Sequence, residues 1–249
     1  MSIASEIQRL QQAKANLKTV LGNKGATIPS DATLDTYSTY AQQIPIEGLI
    51  QRDITSIVIP DSVTSIGDYA FYNYHNLSNC TIGSGVTSIG NNAFAYCSVL
   101  TSIVIPDSVI TIGSYAFTLC KSLTSCTIGS GVTSIGEGAF ASCTGLTSID
   151  IPDSVTSIGG GVFSSCSILT SCTIGSGVTS IGDNAFYLCS SLRSITCNAT
   201  TAPTIYSSTF QDIKTGGTLY VPNGSSGYDV WMGTSNYYLG KYNWTKVEQ

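Results

Sequence analysis

Apolar residues recur through the middle of the chain with a period of 23, and polar residues fill most positions between them. Ile66, Ile89, Ile112, Ile135, Ile158 and Ile181 are each followed by glycine, and Phe71, Phe94, Phe117, Phe140, Phe163 and Phe186 stand five residues further on. A unit this short cannot bury its own apolar side, so the copies must stack and share one interior, which predicts a solenoid. In the copy at residues 100–120, alternation turns Ile103 and Ile105 inward from a short strand and Ser102 and Val104 outward. Val109 and Ile112 begin a second strand or turn, and Gly113 permits the bend that follows. Residues 114–120 read as a single helical turn burying Ala116 and Phe117, with Leu123 starting the next copy. About six coils result, each giving about seven apolar side chains to a stack roughly 30 Å long at a ~4.8 Å rise.

The copies alternate in pairs of 46 residues: Ile-Pro-Asp-Ser-Val at 59–63, 105–109 and 151–155, Ile-Gly-Ser-Gly-Val at 82–86, 128–132 and 174–178. Beyond Cys197 the period loosens. Phe210 lies 24 residues past Phe186 and Pro222 lies 70 past Pro152, both explained by one inserted residue. Residues 199–249, rich in Tyr, Trp and Gly, are expected to form an irregular C-terminal cap with a degenerate repeat, shielding strand edges that would otherwise be unpaired.

Residues 1–49 have a different pattern. Ile3, Ile7, Leu10, Leu17 and Leu21 follow a 4-3-7-4 spacing, the seam of an amphipathic helix with Lys14 at the remaining seam position. A second helix places Leu34, Tyr37, Ala41 and Ile44 on one face before Pro45. An αα-hairpin that either shields the end of the solenoid or serves docking and oligomerisation accounts for both. The docking candidates are Ile3, Ile7, Leu10, Leu17, Leu21, Leu34 and Tyr37.

Composition narrows the function. Charged residues make up 10% of the chain, net charge is −5 and pI about 4.6, so no basic footprint exists for nucleic acid or an anionic membrane. The first ten residues lack the apolar run of a secretory leader and no membrane-spanning run follows, so the expected route to its destination is assembly rather than export. The nine cysteines fall into columns of the repeat. Cys97, Cys120, Cys143, Cys166 and Cys189 share one position, occupied by Tyr74 in the first copy. Cys80, Cys126 and Cys172 share another with Ile57, Ile103, Ile149 and Ile195, and Cys197 takes an inward isoleucine site. Residues that trade places with isoleucine or tyrosine behave as buried hydrophobes, so free buried thiols without metal or bridges are expected.

Chemistry is sparse. The lone histidine, His75, sits where the other copies carry Ser, Lys or Thr, and no nucleophile elbow or phosphate loop is present. Asp61, Asp107 and Asp153 recur every second coil, about 10 Å apart, too far for paired glycosidase carboxylates, and are expected to bond local turn amides. No cofactor or metal and no enzymatic activity are expected. The slots around the predicted helical turn vary freely between copies, which marks them as exposed. Tyr69, Tyr72, Tyr74, His75, Tyr96, Tyr115 and Tyr187 in or near these slots are the candidate binding surface for protein or sugar.

The unit Leu-Thr-Ser-Ile-x-Ile-Pro-x-x-Val-x-x-Ile-Gly-x-x-Ala-Phe-x-x-Cys at 100–120 resembles the leucine-rich repeat of BspA-like, or Treponema pallidum-type, bacterial proteins. The resemblance implies a leucine-rich-repeat solenoid used in adhesion to host proteins, surfaces or cells, although many leucines of other such repeats are missing here. Residues 7–18, with Ile28-Pro29 and 33–37, are similar to the helical segment that begins many bacteriophage tail and fibre proteins. Together these give a mainly β solenoid with short helical turns, and a non-enzymatic virion appendage, a head or tail fibre. It would be made in the host cytoplasm, dock on other virion proteins through residues 1–49, form homo-oligomers, trimers among them, and adhere to a host surface protein or glycan. The alternative is a secreted or cell-surface BspA-like adhesin. Neither involves nucleic acid or membrane insertion.

Overall fold

Each coil supplies one longer strand and, in most coils, a two-residue strand, both paired in parallel with their counterparts one coil away. The computed structural model of the protein describes residues 54–249, which form one unit. The predicted αα-hairpin and its seven docking candidates lie outside the described residues. The first coils contain β1 (Ser56–Ile59), β2 (Ser65–Ile66), β3 (Asn79–Ile82), β4 (Ser88–Ile89), β5 (Ser102–Ile105), β6 (Thr111–Ile112), β7 (Ser125–Ile128) and β8 (Ser134–Ile135). They are followed by β9 (Ser148–Ile151), β10 (Ser157–Ile158), β11 (Ser171–Ile174), β12 (Ser180–Ile181), β13 (Ser194–Cys197), β14 (Thr218–Val221) and β15 (Thr245–Glu248). Register follows the repeat: Ile57 pairs with Cys80, Ile103 with Cys126, and Cys172 with both Ile149 and Ile195.

The interior is a set of columns. Phenylalanine rings stack from Phe71 to Phe210 at centroid separations of 5.0 to 5.9 Å, and in the coil at 100–120 Leu100, Ile103, Ile105, Val109, Ile112, Ala116, Phe117 and Cys120 are all buried. At about 25 cal/mol per Å² of apolar surface removed from water, this continuous core is the main stabilising term. The stack is longer than six coils, because nine long strands mark about eight turns. The segment expected to be an irregular cap extends the sheet through β14 and β15, and Trp231 takes the phenylalanine place, 5.3 Å from Phe210. Three of its aromatics are interior, with polar tips satisfied: Tyr228 Oη donates to the Ala199 carbonyl at 2.7 Å, Trp231 Nε1 to Pro203 at 2.9 Å and Trp244 Nε1 to Lys214 at 2.7 Å.

The predicted helical turn is not helical. Tyr115 and Leu119 have φ of +58° and +59°, and backbone amides alternate in direction. Those of Ala116, Thr118 and Cys120 close four-residue turns, whereas those of Tyr115, Phe117 and Leu119 donate to Glu137, Ala139 and Ala141 in the next coil at 2.7 to 2.8 Å. A helix would consume those donors within its own coil; stacking takes them outward. Similarly, Gly113 serves close approach and not a bend. Its φ is not positive, but a Cβ there would lie 2.6 Å from the backbone of Gly90. Equivalent crowding holds at Gly90, Gly136, Gly159 and Gly182.

Alternation between coil types also has a physical cause. Asp61 Oδ1 accepts the Ser84 amide at 2.7 Å, Asp107 that of Ser130 at 2.7 Å and Asp153 that of Ser176 at 2.6 Å, so each Pro-Asp turn is bonded to the Gly-Ser-Gly turn of the following coil. The aspartates therefore serve turn amides one coil away, not local ones. A side chain at Gly85, Gly131 or Gly177 would overlap the carbonyl of that same aspartate. At the other junction, from Gly-type coil to Pro-type coil, the ladder opens. β3 and β5 pair only at Asn79 and Ser102, and β7 and β9 belong to separate sheets. At the corresponding junction of β11 and β13 the Asn198 amide donates to the Ile174 carbonyl at 2.9 Å and the strands pair fully. Asn198 stands where the earlier coils have Pro106 and Pro152, which have no N–H to give. Two seams on the long-strand face are the consequence.

Candidate binding surface

Two positions in every regular turn are held at positive φ, two residues before and two after the stacked phenylalanine. The first column holds Tyr69, Asn92, Tyr115, Gly138, Gly161 and Asn184, the second Asn73, Tyr96, Leu119, Ser142, Ser165, Leu188 and Asp212. Inter-coil amide bonding imposes this conformation whatever the side chain, and it aims the residue off the turn edge. Polar neighbours continue the ladder: Asp68 Oδ1 accepts the Asn91 amide at 2.6 Å, and Asn91 Oδ1 accepts that of Ser114 at 2.8 Å.

Four of the predicted tyrosines gather on this edge in the first coils. Tyr69, Tyr72, Tyr96 and Tyr115 are 58%, 37%, 42% and 38% exposed. Tyr72 meets Tyr69 edge-on at 5.6 Å and Tyr96 at 5.3 Å. Tyr115 Oη donates to the Glu137 carboxylate at 2.6 Å, and that bond raises the phenol's pKa above its ordinary value. The other candidates separate from this group. Tyr74 packs edge-on against Phe71 at 5.6 Å as part of the core boundary, which follows from its place in the cysteine column. His75 is half-buried, with Nδ1 3.2 Å from the Asn73 carbonyl. Tyr187 lies five coils beyond Tyr72 in the same slot. Asn73 and Asn92 border the tyrosines and were not singled out by sequence; for Asn92 the signal was its column, which carries glycine at Gly138 and Gly161, whereas the Asn73 column carries none.

The cysteines and Asp153 serve the stack itself. Cys97, Cys120, Cys143, Cys166 and Cys189 each donate Sγ–H to a phenylalanine carbonyl 26 residues earlier at 3.1 to 3.2 Å. They are thus specific donors as well as small hydrophobes. All nine cysteines are free; Cys126, beside a seam, is half-buried, where full burial was expected. Burial pushes the thiols of Cys80, Cys97, Cys126 and Cys166 up to about 12, so no reactive thiolate is on offer at neutral pH. The Ser176 amide, and then its hydroxyl, hold the Asp153 carboxyl below its ordinary value. Among the described residues no three His, Cys, Asp or Glu side chains gather as a metal site, and no helix is long and apolar enough to cross a membrane.

Among the described residues the turn edge is lined by exposed tyrosines and amides. Comparisons with known proteins agree with the fold. A leucine-rich repeat protein of Treponema pallidum is 31% identical over 57% of this chain and 69% of that one, with a TM-score of 0.56. A leucine-rich repeat protein of Eubacterium ventriosum is 27% identical over 74% of this chain, TM-score 0.59; the match spans 46% of that protein, about half its length. No curated protein sequence matches the chain. The BspA type leucine rich repeat region matches in six copies over residues 43–168 and 111–226. With that match covering well over half its length, the chain belongs to the BspA-type leucine-rich repeat family.

Proposed function

We propose that this protein is a non-enzymatic adhesin, displayed outside the producing cell, that uses the turn edge of its solenoid to hold a protein or glycan on another surface. The observation that carries the reading is the contrast between columns. Interior positions repeat from coil to coil, while the exposed edge changes from paired tyrosines in the first coils to glycine, alanine and serine near Gly138, Ala141 and Ser142. Membership of a family that resembles bacterial adhesins supports the same role, and a chain with only 10% charged residues suits recognition by shape and aromatic contact. The virion-appendage reading, with docking on other virion proteins and a trimeric state, depends on residues 1–49, and nothing in the described solenoid favours it over the adhesin.

The test is saturable binding of the purified full chain to intact bacterial and epithelial cells and to immobilised extracellular matrix. Binding that is lost when the solenoid is unfolded supports the role; no saturable binding to any of these surfaces rejects it.

A further inference from the structure

We propose that Tyr69, Tyr72 and Tyr96, with Tyr115 at the margin, form a stacking platform for an extended neutral glycan lying along the solenoid axis. The inference rests on the adhesive reading above and names its ligand class. Its first support is backbone strain kept at these sites. Tyr69, Tyr96 and Tyr115 have φ of +58°, +64° and +58°, a conformation that is strained for any residue with a Cβ. Gly138 and Gly161 occupy the column of Tyr69 and Tyr115 without that cost, so these two rings stand where a less strained choice is used in later coils.

The second support is geometry. The edge-on contacts of Tyr72 with Tyr69 and Tyr96 buttress exposed rings at fixed angles, so little side-chain freedom remains to be lost on binding. Tyr69 widens the surface beside Tyr72 within one coil at 5.6 Å, and the 5.3 Å step from Tyr72 to Tyr96 in the next coil is close to the length of one hexose in an extended chain. Phenol rings offer both an apolar face for sugar C–H groups and a hydroxyl for sugar oxygens. The third support is charge. Residues 54–120 contain no lysine or arginine, and Asp68, the nearest acid in sequence, is already engaged by Asn91. Sulfated or uronic glycans find no counter-charge there, whereas Asn73 and Asn92 flank the rings with uncharged amides.

Calorimetric titration of the full chain with cellohexaose, laminarihexaose, mannohexaose and heparin tests this. Binding of at least one neutral hexasaccharide is expected, weakened about tenfold by Tyr72→Ala and about tenfold by Tyr69→Gly. Tyr69→Gly relieves the strained backbone, so its loss of binding cannot be ascribed to unfolding. Tyr187→Ala, in the same slot five coils away, should bind as the parent does. Binding of heparin alone, binding of none of the four, or neutral binding unchanged in Tyr72→Ala and Tyr69→Gly would overturn the platform. Adhesion to cells that survives both substitutions would do the same while leaving the adhesive role intact; absence of all adhesion would remove both.

Discussion

At the scale of single residues, stacking assigns jobs that side-chain type alone does not reveal. Cys143 fills an interior slot and donates Sγ–H to the Phe117 carbonyl at 3.2 Å. Cys143→Ala should leave a small void and an under-satisfied carbonyl, lowering stability by about 2 kcal/mol in urea denaturation. Buried thiols also make stability depend on pH. Cys80, Cys97, Cys126 and Cys166 are raised from an ordinary 9.0 to about 12, so their contribution is complete below pH 9 and is lost as pH rises toward 12, because only the unfolded chain ionises there. Each such thiol then steepens the decline by about 1.4 kcal/mol per pH unit. Denaturant midpoints measured from pH 8 to 11 should fall progressively, and more shallowly in a variant with Cys80→Val and Cys166→Val. Leu188, at φ +57°, illustrates strain with no evident return, and Leu188→Asn should raise stability by about 1 kcal/mol in the same assay.

At the scale of elements, the missing proline N–H explains why one strand face is interrupted while the short strands β2 to β12 form a continuous sheet of six. Pro106→Asn restores a donor at the place where Asn198 closes the later junction. The β3 and β5 strands should then pair along their length, with slower amide hydrogen exchange in both and a gain of about 1 kcal/mol. Unchanged exchange in β3 and β5 would show that ring bulk or side-chain packing, not the donor, opens the seam. The turn segments teach a related lesson. Their i to i−3 amides resemble helix signals, and their apolar spacing at Ala116, Phe117 and Cys120 imitates one, but amides taken by the neighbouring coil leave a chain of tight turns.

At the scale of the whole molecule, the structural unit is two coils. Each Pro-Asp turn needs a Gly-Ser-Gly turn after it, both to supply the Ser amide and to clear space for the Asp carbonyl. Removing residues 106–151, one whole pair, joins Ile105 to Pro152 in the parent order and should give a folded, shorter solenoid with a modestly lower melting temperature. Removing residues 106–128 brings two Gly-type turns together without an aspartate between them and should destabilise far more, as circular dichroism melts would show. The period, the inward columns, the parallel coils and the register of cysteine against isoleucine were all legible from Ile66 to Cys197, since a core shared between identical units forces identical positions to coincide. The two last coils were only partly legible, because Trp231 replaces phenylalanine and the spacing lengthens. Left-handed turn positions, seams, inter-coil aspartate bonds and the gathering of Tyr69, Tyr72 and Tyr96 were decided by tertiary structure alone. Apart from the Tyr69–Tyr72 contact within one coil, each depends on which group the next coil offers across the stack, and that partner sits 22 to 26 residues away, beyond the reach of any local pattern.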